Sequence, residues 1–345
     1  MSSFLVLSRR HELLPFAHRL TTEGHTVESL VSVGIFEGAW GGKINKVLRD
    51  SKGQINPENL GPIVKLAEQG ELTVLINDWR LQSTVFQNSA RLFGTLRHPE
   101  LPECTDHIRI GGWFNGENLT AIHLLIVDIG AWINGHGPQI DSALTLIRNE
   151  KDSVTTLIND LVSPHLDFLK SKSFKGLVQF GIEFDTPSND PEIVSLTAGF
   201  SPLHAHAFLS ELDSFGKVLL GQQEAVLSSR FVTVVPLTIP PYPNTRARLS
   251  RQQVPIEGLT EKQISRVFWH DFQVDLESRQ ISTAGLDGFV GVARGAAESL
   301  VLSRGLALEI PQKVSLHQKQ YREDVGLRVE NALAVLERNF GLVLF

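Results

Sequence analysis

The chain has 345 residues, 42% hydrophobic and 20% charged, with a formal net charge of -6 and basic residues scattered along its length. That length exceeds one ordinary core, so two or three domains of roughly 100 to 150 residues each are expected. No run of about eighteen apolar residues occurs, which excludes a membrane-spanning helix, and the charge balance argues against general nucleic-acid binding. The single cysteine, Cys104, excludes an internal disulfide framework and fits a reducing, cytoplasmic setting. The N-terminus, MSSFLVLSRR, sets its apolar run before its charges and lacks a small-residue cleavage site, so it reads as a buried first strand rather than a signal peptide.

Phe4 to Leu7 is that strand. A helical stretch follows to Gly24, a C-cap position, with Pro15 confined to its first turn or breaking it. His25 to Val33 alternates like a second strand. Strand, helix and strand suggest the edge of a parallel α/β layer, where strand ends commonly approach nucleotides. The turn Ser8-Arg9-Arg10-His11 lacks the glycines that let backbone N–H groups reach a phosphate, and it also reads as an ordinary turn with solvated arginines. Residues 34 to 62 are glycine-rich loop. Gly41-Gly42-Lys43 offers a phosphate-binding lysine without the full P-loop spacing or a following Ser or Thr. Leu72 to Ile76 is a buried strand and Ser83 to Leu96 a helix. His98 to Thr105, with two prolines, marks a first boundary, and the rigid IPPYPNT loop after Thr238 opens the last domain, which divides the chain into 1–100, 101–230 and 231–345.

From His107 the pattern turns to strands, and Asn115-Gly116 between two apolar segments signals a hairpin because both residues tolerate positive φ. Residues 142 to 172 place Leu, Val and Ile at helical spacing. Leu177 to Pro202 is a second hairpin around Thr186-Pro187-Ser188-Asn189-Asp190, and a helix is expected from Leu203 to Leu220. Within it His204 and His206 are two apart and face different sides, so they could not share one metal ion. Phe231 to Thr238 is a strand. The rest, with strands near 281 to 295 and helices at 296 to 305 and 326 to 339, suggests a small α+β cap.

Five segments of the C-terminal third resemble, in order, the last domain of glycinamide ribonucleotide synthetase (phosphoribosylamine-glycine ligase), an ATP-grasp enzyme of purine synthesis. They are Pro241-Tyr242-Pro243, Ile256-Glu257-Gly258-Leu259, Val267-Phe268-Trp269-His270, Ser282-Thr283-Ala284-Gly285 and Arg322-Glu323-Asp324-Val325-Gly326. Trp113-Phe114-Asn115-Gly116-Glu117 is similar to the family's Phe-Leu-x-Gly-Glu hairpin, and Gly137-Pro138 to the start of its glycine-rich loop. The drift of the sequence is closer to the divergent versions carried by tailed phages than to housekeeping enzymes. The resemblance implies a multi-domain α/β and α+β ATP-grasp-like architecture: an N-terminal α/β layer, a truncated central grasp domain and a C-terminal α+β cap.

The departures bear on function. The family's Glu-Phe-Asn strand end supplies oxygen ligands to magnesium between ATP phosphates, as a hard cation requires. If Glu183-Phe184-Asp185 matches it, with Asn189-Asp190-Pro191-Glu192 after it, Glu183 and Asp185 form a metal pair. If the whole hairpin is kept in register, the ligand positions fall on Ser195 and Thr197, whose neutral hydroxyls are poor magnesium ligands. Residues 77 to 106 replace a lobe that carries a lysine strand and a flap, and they contain no lysine. The cationic charge that would offset phosphate charge is then missing.

The expectation is a non-catalytic scaffold that acts through protein partners, by assembly or as a homo-oligomer, in a host cytoplasm or a virion and without a resident cofactor. The alternative is an ATP-dependent carboxylate-amine ligase using magnesium and ATP, with Glu183 and Asp185 on the metal and Lys43 or Arg10 on phosphate. A third possibility keeps a phosphoribosyl pocket, where Arg322, paired with Asp324, could clamp a phosphate bidentately or only position the final helix.

Overall fold

A computed structural model describes residues 2–8, 12–31, 65–66, 69–77, 92–148, 152–184, 191–244, 253–275, 277–285 and 287–340. The chain opens with β1 (Ser3–Ser8), α1 (Leu14–Thr22) and β2 (Thr26–Val31), followed by β3 (Leu72–Asn77) and β4 (Leu92–Phe93). These strands form a sheet in the order β2-β1-β3-β4 with every pair parallel. The strand-helix-strand start thus forms one edge of a parallel layer, with β2 outermost and β1 inside it, and this explains why Phe4 to Leu7 is a continuous apolar run buried throughout. Pro15 stands in the first turn of α1, where its missing N–H costs nothing, and Gly24 beyond the helix takes φ +84°. β4 occupies Leu92 and Phe93, within the stretch expected to close a helix; residues 83 to 91 of that expectation lie outside the described residues.

The second sheet has eight strands. They are β5 (Ile108–Phe114), β6 (Leu119–Ile129), β7 (Asp141–Arg148), β8 (Gly176–Phe184), β9 (Pro191–Ala198), β10 (Phe231–Thr238), β11 (Val267–Trp269) and β14 (Phe289–Ala297), while β12 (Gln273–Val274) and β13 (Ile281–Ser282) pair separately. The order is β11-β14-β10-β7-β6-β5-β8-β9, antiparallel throughout. Strands on both sides of residue 230 thus share one sheet, because β10 pairs with β7. The β5–β6 hairpin turns at Asn115-Gly116 as expected: Asn115 Oδ1 accepts from the N–H groups of Glu117 and Asn118 at 2.9 Å, and Gly116 takes φ +107°.

The helical reading of 142 to 172 is corrected over its first part. Ser142 to Arg148 are in β7, and the helix, α2, is Asp152–Ser171. Ser-Ala-Leu-Thr-Leu-Ile fits both periods in isolation, and pairing with β6 on one side and β10 on the other decides for the strand. The long helix expected from Leu203 to Leu220 is split into α3 (Pro202–Leu209) and α4 (Phe215–Leu219). After α5 (Glu261–Ile264) come α6 (Leu300–Lys313) and α7 (Val329–Phe340). α6 starts four residues later than expected, at the Ser299 N-cap whose hydroxyl accepts from Leu302 N–H.

One face of the large sheet (Leu125, Leu144, Val232) packs with α3, α4 and the N-terminal layer (Phe4, Val6, Phe16) in one core. The other face (Ile110, Phe180) packs with α2 (Val162, Leu166) and α7 (Leu333, Leu336). Glu23 ties the N-terminal layer down. Its carboxylate accepts from Phe215 N–H at 2.9 Å, Gly216 N–H at 2.8 Å and Arg19 Nε at 2.6 Å. Partial burial opposes ionisation, but the Arg19 bond and the two N–H donors outweigh it and hold the carboxyl below its usual range. Glu23→Gln keeps the shape and removes the charge; it is expected to lower stability by about 1–2 kcal/mol, read as a shifted urea midpoint.

Candidate functional site

The β8–β9 hairpin brings Gln179 opposite Thr197 and Gly181 opposite Ser195. These positions are filled by interactions within the chain. Ser195 Oγ donates to Asp106 Oδ2, and Thr197 Oγ1 accepts from Cys104 N–H at 2.9 Å. The Cys104 thiol, pushed up by burial, donates to Gln179 O at 3.3 Å. Gly181 is required by the same packing, since a Cβ there would stand within 2.0 Å of Ser195 Oγ and closer still to Asp106 Oδ2.

Beside this knot lies Arg109, buried on β5. Its Nε donates to Asp106 O at 2.8 Å, Nη1 to Gln179 Oε1 at 3.1 Å, and Nη1 and Nη2 grip Asp141 bidentately at 2.8 Å each. Burial alone would lower its pKa; the Asp141 carboxylate reverses that and raises it. Gln179 Nε2 is buried without a partner. None of Arg109, Asp106, Asp141 and Gln179 was marked by sequence reasoning. The available signal was a polar residue inside an otherwise apolar strand, as in HIRIGGWF and LVQFGIEF.

Glu183 is exposed near the hairpin tip and faces Glu192 across the strands. Arg10, Lys43 and Asp185 lie outside the described residues. A magnesium ion with its nucleotide needs several free oxygen ligands, and of the pair Glu183 and Asp185 only Glu183 is among the described residues. The two β9 hydroxyls are engaged, and among the described residues no three His, Cys, Asp or Glu side chains are grouped so as to hold a metal.

Arg322 and Asp324 come together at the junction of β6, β7 and the C-terminal segment. Arg322 is fully buried; Nε and Nη2 donate to Asp324 Oδ1 and Oδ2 at 2.7 and 3.1 Å, and Nη1 donates toward Ile129 O, Gly130 O and Ser142 Oγ at 2.9 to 3.1 Å. Asp324 also accepts from Asn134 N–H at 2.9 Å; burial opposes its ionisation, and these bonds hold its pKa low. Asp128 accepts from Gly326 N–H at 3.0 Å, and burial raises its pKa. The arrangement fixes the 130–138 loop against residues 324–326. A small cleft opens above it, lined by Trp132, Asp141, Ser142, Tyr242, Tyr321 and Arg322 among others.

The HAH triplet behaves as its spacing requires. His204 Nε2 meets His123 Nε2 at 2.7 Å and His206 Nε2 meets His270 Nε2 at 2.8 Å, so the two rings have different partners, and all four residues are buried.

No family model matches the chain, and no curated protein sequence matches it. Solved structures do. Phosphoribosylamine–glycine ligase from Thermotoga maritima aligns over 93% of this chain and 99% of its own with a TM-score of 0.64 and 12% identity. Biotin carboxylase from Campylobacter jejuni covers 92% of each chain at TM-score 0.54 and 10% identity. L-amino acid ligase from Bacillus licheniformis covers 92% of this chain and 98% of its own at 0.50 and 12%. At such identities the likeness speaks for architecture alone: this chain has an ATP-grasp-like fold of mixed α/β layers around a large antiparallel sheet.

Proposed function

We infer that the chain is a ligase-like scaffold that acts by binding protein partners rather than by ligation. The observation that carries this reading is the commitment of Ser195 and Thr197, the in-register metal-ligand positions, to Asp106 and Cys104. Arg322 is likewise spent on Asp324 and backbone carbonyls, so a phosphate would find little of its guanidinium. The surface offers a contact face on α6, where Val301 and Leu302 are 74% and 62% exposed beside the open Gly305; such a patch suits assembly with a protein or a second copy. The domains 1–100, 101–230 and 231–345, and a place in a host cytoplasm or a virion, belong to this proposal. No helix among the described residues is long and apolar enough to cross a membrane.

A second reading, an ATP-dependent carboxylate-amine ligase, is favoured by the near full-length likeness to two amino-acid-joining ligases. It assigns magnesium to Glu183 and Asp185 and phosphate to Lys43 or Arg10. One titration separates the two. Magnesium-ATP bound at one hundred times its dissociation constant adds about 2.7 kcal/mol of stability. The scaffold reading expects no rise in melting temperature. A rise, together with magnesium-dependent ADP release abolished by Glu183→Ala, would replace it with the ligase reading.

A further inference from the structure

We propose that the face formed by α6 and the Gly326 junction binds an acidic amphipathic segment of a partner protein, with Val301, Leu327 and Ile133 against its apolar side chains and Arg304 and Arg328 on its carboxylates. This rests on the reading of the chain as a partner-binding scaffold, and it names the chemistry of the partner.

These residues come from three parts of the chain, and short contacts bring them together. Val301 and Arg304 are three apart on α6, so they share a side of the helix. The Arg304 side chain lies over Gly326, where a Cβ would stand 3.6 Å from its Cδ. Leu327 and Arg328 follow directly. Arg328 reaches back to the 130–138 loop, with Nη2 3.1 Å from the place a Cβ at Gly135 would take. Asn134 N–H, next to Ile133, donates to Asp324 Oδ2 at 2.9 Å and fixes the loop to the same junction. Val301, Leu327 and Ile133 are 74%, 58% and 46% exposed. Large apolar side chains gathered on one face mark a contact site.

The charges decide what that face meets. Arg19, Arg109, Arg266, Arg294 and Arg322 each hold a carboxylate within 3.2 Å. Arg304 and Arg328 differ: among the described residues neither guanidinium has a hydrogen bond or an ion pair, and Arg304 Nε is buried without a partner. The acids of the junction are turned to other groups. Asp324 accepts from Arg322 and Asn134, Glu323 bonds Tyr321, and Asp128, which feels the Arg328 charge, accepts from Gly326 N–H. Glu330 stands two residues beyond Arg328, a spacing at which helical side chains do not meet. A guanidinium binds a carboxylate bidentately, so a segment that sets an apolar side chain on Leu327 and carboxylates beside it satisfies both arginines. A basic segment would meet two like charges instead.

The test uses fluorescein-labelled helical peptides: one of leucine, alanine and glutamate, one with lysine for each glutamate, and one with serine for each leucine. Each is titrated with full-length protein and read by fluorescence anisotropy. The expected result is saturable binding of the leucine–glutamate peptide alone, weakened by added salt. Arg304→Gln and Arg328→Gln should each weaken it about tenfold, and Leu327→Ser about three- to tenfold. Val226→Ser should change nothing: Val226 is exposed but lines a groove with Leu119, the first residue of β6, whereas the 130–138 loop leaves the last, Ile129. Leu327 is exposed, so Leu327→Ser at the parent's melting temperature keeps the test valid even where an arginine variant is less stable. The proposal is overturned if the lysine or the serine peptide binds equally, if no peptide saturates, or if Arg304→Gln, Arg328→Gln and Leu327→Ser all bind as the parent does. Such a failure leaves the scaffold reading to its own test, the magnesium-ATP melting experiment, in which these side chains take no part.

Discussion

Replacing Arg322 by alanine is expected to lower folding stability by about 3–5 kcal/mol, the usual cost of removing one member of a buried ion pair. The guanidinium is fully buried and satisfies Asp324, the carbonyls of Ile129 and Gly130, and Ser142 Oγ, and it lies 3.8 Å from Asp128. Its loss would strand these buried acceptors without their donor. Arg322→Lys keeps the charge but cannot reproduce the two-pronged grip on Asp324, so it should fall well short of rescue. Urea denaturation followed by tryptophan fluorescence measures the loss. A midpoint equal to that of the parent would show that Arg322 does not hold the junction. Asp324→Asn should be milder, because an amide oxygen can still accept from Nε.

Stability should also fall as the solution is acidified from pH 6.5 toward 4, before most carboxylates titrate. His123 Nδ1–H donates to Ala121 O at 2.7 Å, so its Nε2 is a bare acceptor for His204 Nε2–H. Burial brings the His123 pKa down from 6.5 to about 4. His204 is also lowered well below its ordinary value, by burial, then by His123 and Arg109; His206 is lowered by burial and then by His270. Aromatic rings pack against all four: Phe208 beside His123 and His204, Phe16 and Phe268 beside His206, and Phe289 beside His270.

A histidine whose folded pKa is depressed is protonated first in the unfolded chain. Its contribution is intact above 6.5 and is lost as pH falls toward the folded value. For His123 alone the full loss is about 3 kcal/mol, at about 1.4 kcal/mol per pKa unit. Glu309, held down to about 2 by Lys313, Arg266 and Gln263, loses its contribution only below its ordinary value of 4.5. Asp128, raised by burial, acts in the opposite sense. Melting temperatures from pH 7 to 4.5 should therefore decline in the parent and decline less in the double variant His123→Leu, His204→Leu. Identical slopes would remove the pairs as the cause.

The sequence by itself determined the parts of this protein that depend on neighbours along the chain. Phe4 to Leu7 announced a strand buried on both faces, Asn115-Gly116 a hairpin, Pro15 and Gly24 the ends of a helix, and the two-residue spacing of His204 and His206 their divergence. The collinear motifs carried the expectation of an ATP-grasp-like architecture, and the solved structures share that architecture.

Only the tertiary structure decided what depends on partners far away in sequence. Ser142 to Arg148 became a strand because β6 and β10 flank it. Ser195 was consumed by Asp106, 89 residues earlier, and Arg322 by carbonyls 192 and 193 residues earlier. Local pattern fixes the period of a segment through backbone sterics and burial. Which donor meets which acceptor is set by how the sheets stack, and a buried polar group takes whatever partner that stacking supplies.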